Sequence, residues 1–265
     1  MKNRIKMVIV LTLVVTITLV STGCQKSFQE MGESVSTADE ASAAPTEPPT
    51  EKPTLPDSYM IPGAEAYVIP QTELKAGCET YACTMLMNIL GFDLDEFDFA
   101  DNYLDCRPVF GEGDSMEGPD MNSGFAGTAY AGWGVYAPSM AKSMNKYLAD
   151  QNSSLKAYNY EGVSLEDLCL EYIVNDVPVM IWATTAMQEP YVFDTWTVNY
   201  VDENAKTEIG DKFDWLAHEH CLVLIGFDEE QYYFDDSAAG CVSCFDKELV
   251  DERYHQLGTQ CIVVK

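Results

Sequence analysis

Apolar residues at Ala82, Met85, Leu86, Ile89 and Leu90 recur at i, i+3, i+4, i+7 and i+8, the stripe of a helix that buries one side, and Gly91 follows as its stop. A second helical stripe, Met140, Met144, Tyr147 and Leu148, lies in 139–148. A third helix is expected after Ser164, a good N-cap with Glu166 and Asp167 in the first turn, and Asp176-Val177-Pro178 ends it. Continuous apolar runs read differently: 179–183 and 220–227 suit buried strands, 155–160 a short strand, and 261–264 a last one. The 231–236 segment follows 220–227 after a very short loop, which predicts an antiparallel hairpin. Helices first and a mostly antiparallel sheet afterwards is the α+β pattern.

The first 57 residues stand apart. Lys2, Arg4 and Lys6 precede the uncharged run 7–20, too short to span a bilayer comfortably and suited to the core of an export signal. Ser21-Thr22-Gly23-Cys24 after it is similar to the lipobox of bacterial lipoproteins, which implies cleavage after residue 23 and a lipid on Cys24. Residues 24–57 are rich in Ser, Thr, Ala, Glu and Pro, bury too little to offset the entropy of ordering, and read as an extended tether. The expected organisation is a leader at 1–23, a tether at 24–57 and one folded domain at 58–265, exported and lipid-anchored to the outer face of the cytoplasmic membrane.

Charge removes one class of partner. The chain carries −28 formally, and loss of the three basic leader residues makes the remainder more negative still. Without a basic stripe, nucleic acid is not an expected partner. Nine cysteines in an exported chain raise the question of disulfides. Cys241 and Cys244 form the one C-x-x-C, a candidate bridge or redox pair, whereas Cys83, Cys169 and Cys221 sit in apolar patterns that suit buried thiols. A lone C-x-x-C is a poor zinc signal, and His218-Glu219-His220 lacks the spacing of a helical metalloprotease motif, so no metal or other cofactor is expected.

The candidate chemistry starts at Gly77-Cys78, where a cysteine opens the first helix. Backbone N–H groups and the helix dipole favour thiolate there, and thiolate is the nucleophile. The three histidines supply the candidate bases. His220 heads the most apolar strand, His218 is its rival, and His255 lies in a polar run. If the hairpin loop holds three residues centred on Asp228, residue 220 stands opposite Asp236, which could accept the Nδ1 proton and leave Nε2 for the thiol; a slip of one residue substitutes Asp235. Cys, His and an acid are the parts of a thiol hydrolase. Gln71, on the extended approach to Cys78, is the candidate side-chain donor to an oxyanion. Gly-rich 109–138 is expected to be a functional loop that carries Trp133 and Tyr136 as substrate contacts, with Trp182, in the buried strand 179–183, a third candidate that reads first as core.

Residues 71–91, with Gly77-Cys78-Glu79 and Met85-Leu86-Met87-Asn88, resemble the papain-like peptidases of the bacteriocin-processing type, in particular stand-alone C39-like domains of Gram-positive bacteria. The resemblance continues in order through Gly134-Val135-Tyr136-Ala137-Pro138, Val177-Pro178-Val179-Met180-Ile181-Trp182, Trp196, Glu219-His220 with Leu222-Val223-Leu224-Ile225-Gly226-Phe227-Asp228, and Tyr233-Phe234-Asp235-Asp236. It implies a papain-like fold, Cys78 as nucleophile, His220 as base, Asp236 as orienting acid, Gln71 at the oxyanion hole, and a peptide or protein substrate. The Gln71-to-Cys78 spacing is one residue longer than in transporter-linked members, and Asp236 is followed by Ser237 where the family often has Pro. A non-catalytic peptide-binding module on the same fold, or a redox lipoprotein using Cys241 and Cys244, would be the other readings.

Overall fold

The computed structural model describes residues 54–265. The leader, Cys24 and all but the last four residues of the expected tether lie outside them. In chain order the elements are β1 (Tyr59–Met60), α1 (Cys78–Ile89), α2 (Glu96–Asn102), β2 (Cys106–Arg107), β3 (Glu117–Pro119), β4 (Phe125–Thr128), β5 (Ala131–Gly134) and α3 (Ala137–Asp150). They continue with β6 (Ala157–Glu161), α4 (Leu165–Glu171), β7 (Val179–Thr184), β8 (Val192–Tyr200), β9 (Lys212–Leu216), β10 (Glu219–Phe227), β11 (Gln231–Asp236), β12 (Cys241–Asp246), α5 (Lys247–Gln256) and β13 (Gln260–Val264).

The main sheet runs β12-β11-β10-β7-β13-β6, with β1 added beside β10, and its pairings are antiparallel. Every residue of β7, β10 and β13 is buried, so these strands are covered on both faces, which is why they read as continuous apolar runs. Helix α1 lays Tyr81, Ala82, Met85 and Leu86 into this core, each fully buried. Helix α4 starts where Ser164 accepts from Asp167 N–H, as its sequence predicts. The Gly-rich stretch is not the long loop expected. It holds β3, β4 and β5, which are too short to show a period: β3 runs parallel to distant β8, β4 parallel to β2, and β5 folds back antiparallel on β4. A second apolar cluster forms there around Trp196, which stacks on Phe213 and donates Nε1–H to Pro119 O at 2.8 Å.

The hairpin differs from expectation in a way that bears on the site. Phe227 pairs with Tyr232, and Asp228 N–H donates to Gln231 O, so the turn holds two residues, not three. With that turn alone, the acid on the face of His220 would be Asp235. The register shifts between Leu224 and Gly226, however, and beyond the shift Val223 pairs with Asp235. Continuing that register sets Asp236 across from Leu222, which shares a face with His220. One bulged residue therefore decides which acid meets the histidine.

The redox pair fails on geometry. Cys241 and Cys244 lie on one strand, β12, opposite Asp236 and Tyr233 respectively. Residues three apart on a strand point to opposite faces with Cα atoms about 10 Å apart, beyond the roughly 7 Å limit of a disulfide.

Candidate active site

Cys78 is the first residue of α1 and is buried, with its surface at the floor of a cleft of about 420 Å³ that His220, Gln71, Trp133, Glu219 and Trp215 also line. Gly77 before it is required by contact: a Cβ there would lie 2.8 Å from Leu74 Cβ and 3.2 Å from Ala129 Cβ. The approach segment is tied to the far side of the site, since Gln71 N–H donates to Ser237 O at 2.8 Å.

His220, on β10 and buried, makes a 2.9 Å hydrogen bond from Nε2 to Asp236 Oδ1. The ring is thus reversed relative to the expectation, and Nδ1 is the nitrogen left for the thiol. Asp236 is well supplied with donors: Ala238 N–H and Ala239 N–H reach Oδ1, and Ser243 Oγ–H reaches Oδ2 at 2.9 Å. Burial works to raise its pKa, but the bond and charge of His220 with these donors hold it below the ordinary carboxylate value. The rival residues go elsewhere. His218 sits at φ 68° in the turn before β10, its ring against Tyr191; His255 is exposed on α5; Asp235 is buried with neither carboxylate oxygen hydrogen-bonded.

Gln71 lines the cleft, yet its amide is occupied. Nε2–H groups donate to Leu74 O at 2.9 Å and Lys75 O at 3.2 Å, while Oε1 accepts from Ser237 Oγ–H at 3.4 Å. Of the aromatic candidates, only Trp133 lines the cleft, its Nε1–H held by Asp194 Oδ2 at 2.6 Å. Trp182 is core and not a substrate contact: fully buried on β7, it donates Nε1–H to Val135 O at 3.0 Å. Tyr136 is not among the cleft's walls either; it is half-buried with its ring 6.0 Å from Phe213.

Two acids were not expected. Glu79 is fully buried, accepts Val135 N–H on Oε1 at 2.7 Å and lies 3.3 Å from Cys78 Sγ through Oε2. Glu219, beside His220, is buried and its Oε1 has no hydrogen-bond partner. Gly134, at φ 128°, leaves room for both: a Cβ there would come within 2.4 Å of Glu79 Oε1 and 3.2 Å of Glu219 Oε2. These surroundings oppose the dipole argument for Cys78. Burial, then the charges of Glu79 and Glu219, push its thiol well above the ordinary value. The only sequence signal was position, since the two glutamates adjoin the candidate nucleophile and base.

A helix-borne cysteine sharing a cleft with a strand-borne histidine that an acid holds from behind is the arrangement of the papain-like cysteine peptidases. A model of the Peptidase_C39 like family matches residues 65–262, and the chain belongs to that family. A crystal structure described as that of a candidate C39-like peptidase from Bacillus anthracis superposes with a TM-score of 0.64 at 25% identity, over 79% of this chain and 98% of the other. The Bacillus subtilis protein YvpB, itself uncharacterized, is 23% identical over 194 residues, which span 72% of this chain and 70% of YvpB.

Proposed function

We propose that this protein is a cysteine hydrolase that cleaves peptide or isopeptide bonds. The observation that carries the reading is the shared cleft of Cys78 and His220, with the far nitrogen of the imidazole bound to a well-anchored Asp236. His220 Nδ1 takes the Sγ proton and the thiolate adds to the scissile carbonyl. The resulting imidazolium is stabilised by Asp236 and returns its proton to the leaving amine. Water, deprotonated by the same imidazole, then releases the acyl group. The oxyanion is assigned to Cys78 N–H at the start of α1, where no intrahelical acceptor competes. Gln71 joins it only by releasing Lys75 O, the longer of its two bonds. Trp133 forms a wall for substrate side chains.

Family membership supports the reaction class and leaves the scissile bond open. The leader and Cys24 support an extracellular, lipid-anchored location; among the described residues no helix is long and apolar enough to cross a membrane. The test is hydrolysis of a broad peptide library. Activity abolished by Cys78→Ala and by His220→Ala supports the reading, and turnover unchanged in both overturns it. Release of the protein into the medium on Cys24→Ala tests the anchor.

A further inference from the structure

We infer that Glu79 and Glu219 form a proton-sharing carboxyl pair whose acid form, presented by Glu79, donates a hydrogen bond to the Cys78 sulfur while that sulfur is negatively charged. The inference rests on the reading of Cys78 as nucleophile and adds a catalytic group to it.

Geometry leads to the pair. One oxygen from each carboxyl and Cys78 Sγ lie within 4.8 Å of one another, and all three residues are buried. Val135 N–H fixes one oxygen of Glu79 and turns the other to the sulfur, at 3.3 Å. Glu219 offers an oxygen that nothing else bonds. The groups facing this pocket from neighbouring elements are Cys78 on α1, Tyr136 just before α3, and His220 and Cys221 on β10; Lys75 lines the outer cleft with its ammonium held by Thr72 O. Of the groups facing the pocket, only His220 can be cationic, and its Nε2 is already committed to Asp236. Two carboxylates this close, out of water and without a cation of their own, do not both ionise; they keep a proton. The surroundings agree: burial, against the pull of Val135 N–H and other donors, raises the Glu79 carboxyl to about 7, and burial with the charge of Glu79 raises Glu219 well above its ordinary value.

The pair explains how a thiolate can form beside two acids. When the Sγ proton passes to His220 Nδ1, Glu79 keeps its own proton and turns O–H toward S⁻, so no bond other than S–H is broken. When the pair gives one of its two protons to solvent, Glu219 keeps the other, and Glu79 becomes an acceptor and holds Cys78 as the thiol. Reactivity should therefore fall as pH rises through about 7, the reverse of a free thiol.

The test measures carboxamidomethylation of Cys78 by iodoacetamide against pH, with the Cys78 peptide quantified by mass spectrometry, in wild type, Glu79→Gln, Glu79→Ala and Glu219→Gln, each checked for cooperative unfolding. Gln at 79 keeps a donor toward the sulfur and cannot ionise. The expected result is loss of the alkaline fall in Glu79→Gln, with alkylation above neutrality raised roughly tenfold, equivalent to one unit in thiol pKa. In Glu219→Gln the fall moves to higher pH, because an amide N–H stabilises ionised Glu79 less than the carboxyl O–H it replaces. An unchanged profile in both Gln variants overturns the inference, as does Glu79→Gln losing reactivity as fully as Glu79→Ala. A stoichiometric divalent cation in the wild-type protein that is absent from Glu79→Gln would also overturn it, since the metal would then neutralise the pair. The readout does not depend on hydrolysis: if the profiles behave as stated while no peptide is cleaved, the inference stands and the proposed function falls.

Discussion

Asp235 gives a prediction that can be worked through in energy. Its side chain is fully buried, neither oxygen has a hydrogen-bond partner, and burial, then the charge of Glu65, raises its carboxyl from 3.8 to about 7. In the unfolded chain it ionises near pH 4; in the folded chain it keeps its proton until about pH 7. Between those values the folded state binds more protons, so stability falls as pH rises, by up to about 1.4 kcal/mol per unit, and is level above the folded pKa. A shift of about three units makes the total loss roughly 4 kcal/mol by pH 8. Asp235→Asn cannot ionise and keeps the shape. It should match wild type within about 1 kcal/mol at pH 4, where both side chains are neutral in the fold and the unfolded aspartate is only about half ionised, and exceed it by about 2 to 4 kcal/mol at pH 8. Urea unfolding of both proteins at the two pH values measures this, provided the m-values agree. The comparison cancels the other raised acids, Glu79 included, because they are common to both. Equal stability differences at pH 4 and pH 8 would show instead that Asp235 ionises normally in the fold.

Three substitutions probe other parts of the account. Asp236→Ala removes the acceptor that orients His220 and should cut turnover by roughly 10²-fold or more with a smaller change in KM, measured on any cleaved peptide; full activity would dissociate the histidine from that acid. Gly134→Ala forces a methyl group within 2.4 Å of Glu79 Oε1 at φ 128°, and should destabilise the domain by about 2 kcal/mol or more in urea unfolding while altering the rate of Cys78 alkylation. Trp182→Phe loses the bond to Val135 O and leaves that carbonyl buried without it, so stability should fall by about 1 to 3 kcal/mol with KM unchanged; a KM rise as large as that of Trp133→Ala would return Trp182 to the substrate.

The helix of Cys78 and the strands of Trp182 and His220 were legible because burial imposes a local period, or a continuous apolar run, on each. Strand β12 was not: as an edge strand with its residues half-buried or exposed, it shows no clean alternation. The short strands among the glycines form through partners up to some 80 residues away, which no local window displays. For the site, residue types and order pointed to Cys78, His220 and an acid, but the choice between Asp235 and Asp236 rested on a turn length and a bulge that no residue announces. The predicted turn length was wrong, and the bulge restored the parity that had led to Asp236. Glu79 escaped notice because a glutamate in a helix's first turn reads as an ordinary favourable charge. The direction of a tryptophan ring is likewise absent from sequence; the buried run around Trp182 favoured core for it, while Trp133, among glycines, carried no such mark.

Cys78 acts here as a nucleophile activated by His220. The most direct test is covalent labelling by a peptidyl chloromethyl ketone library, mapped by mass spectrometry in the wild-type protein and in His220→Ala. Modification should be concentrated on Cys78 and lost in the variant. Labelling of Cys78 no faster than that of the fully buried Cys83 and Cys221, or unchanged without the histidine, would contradict that activation.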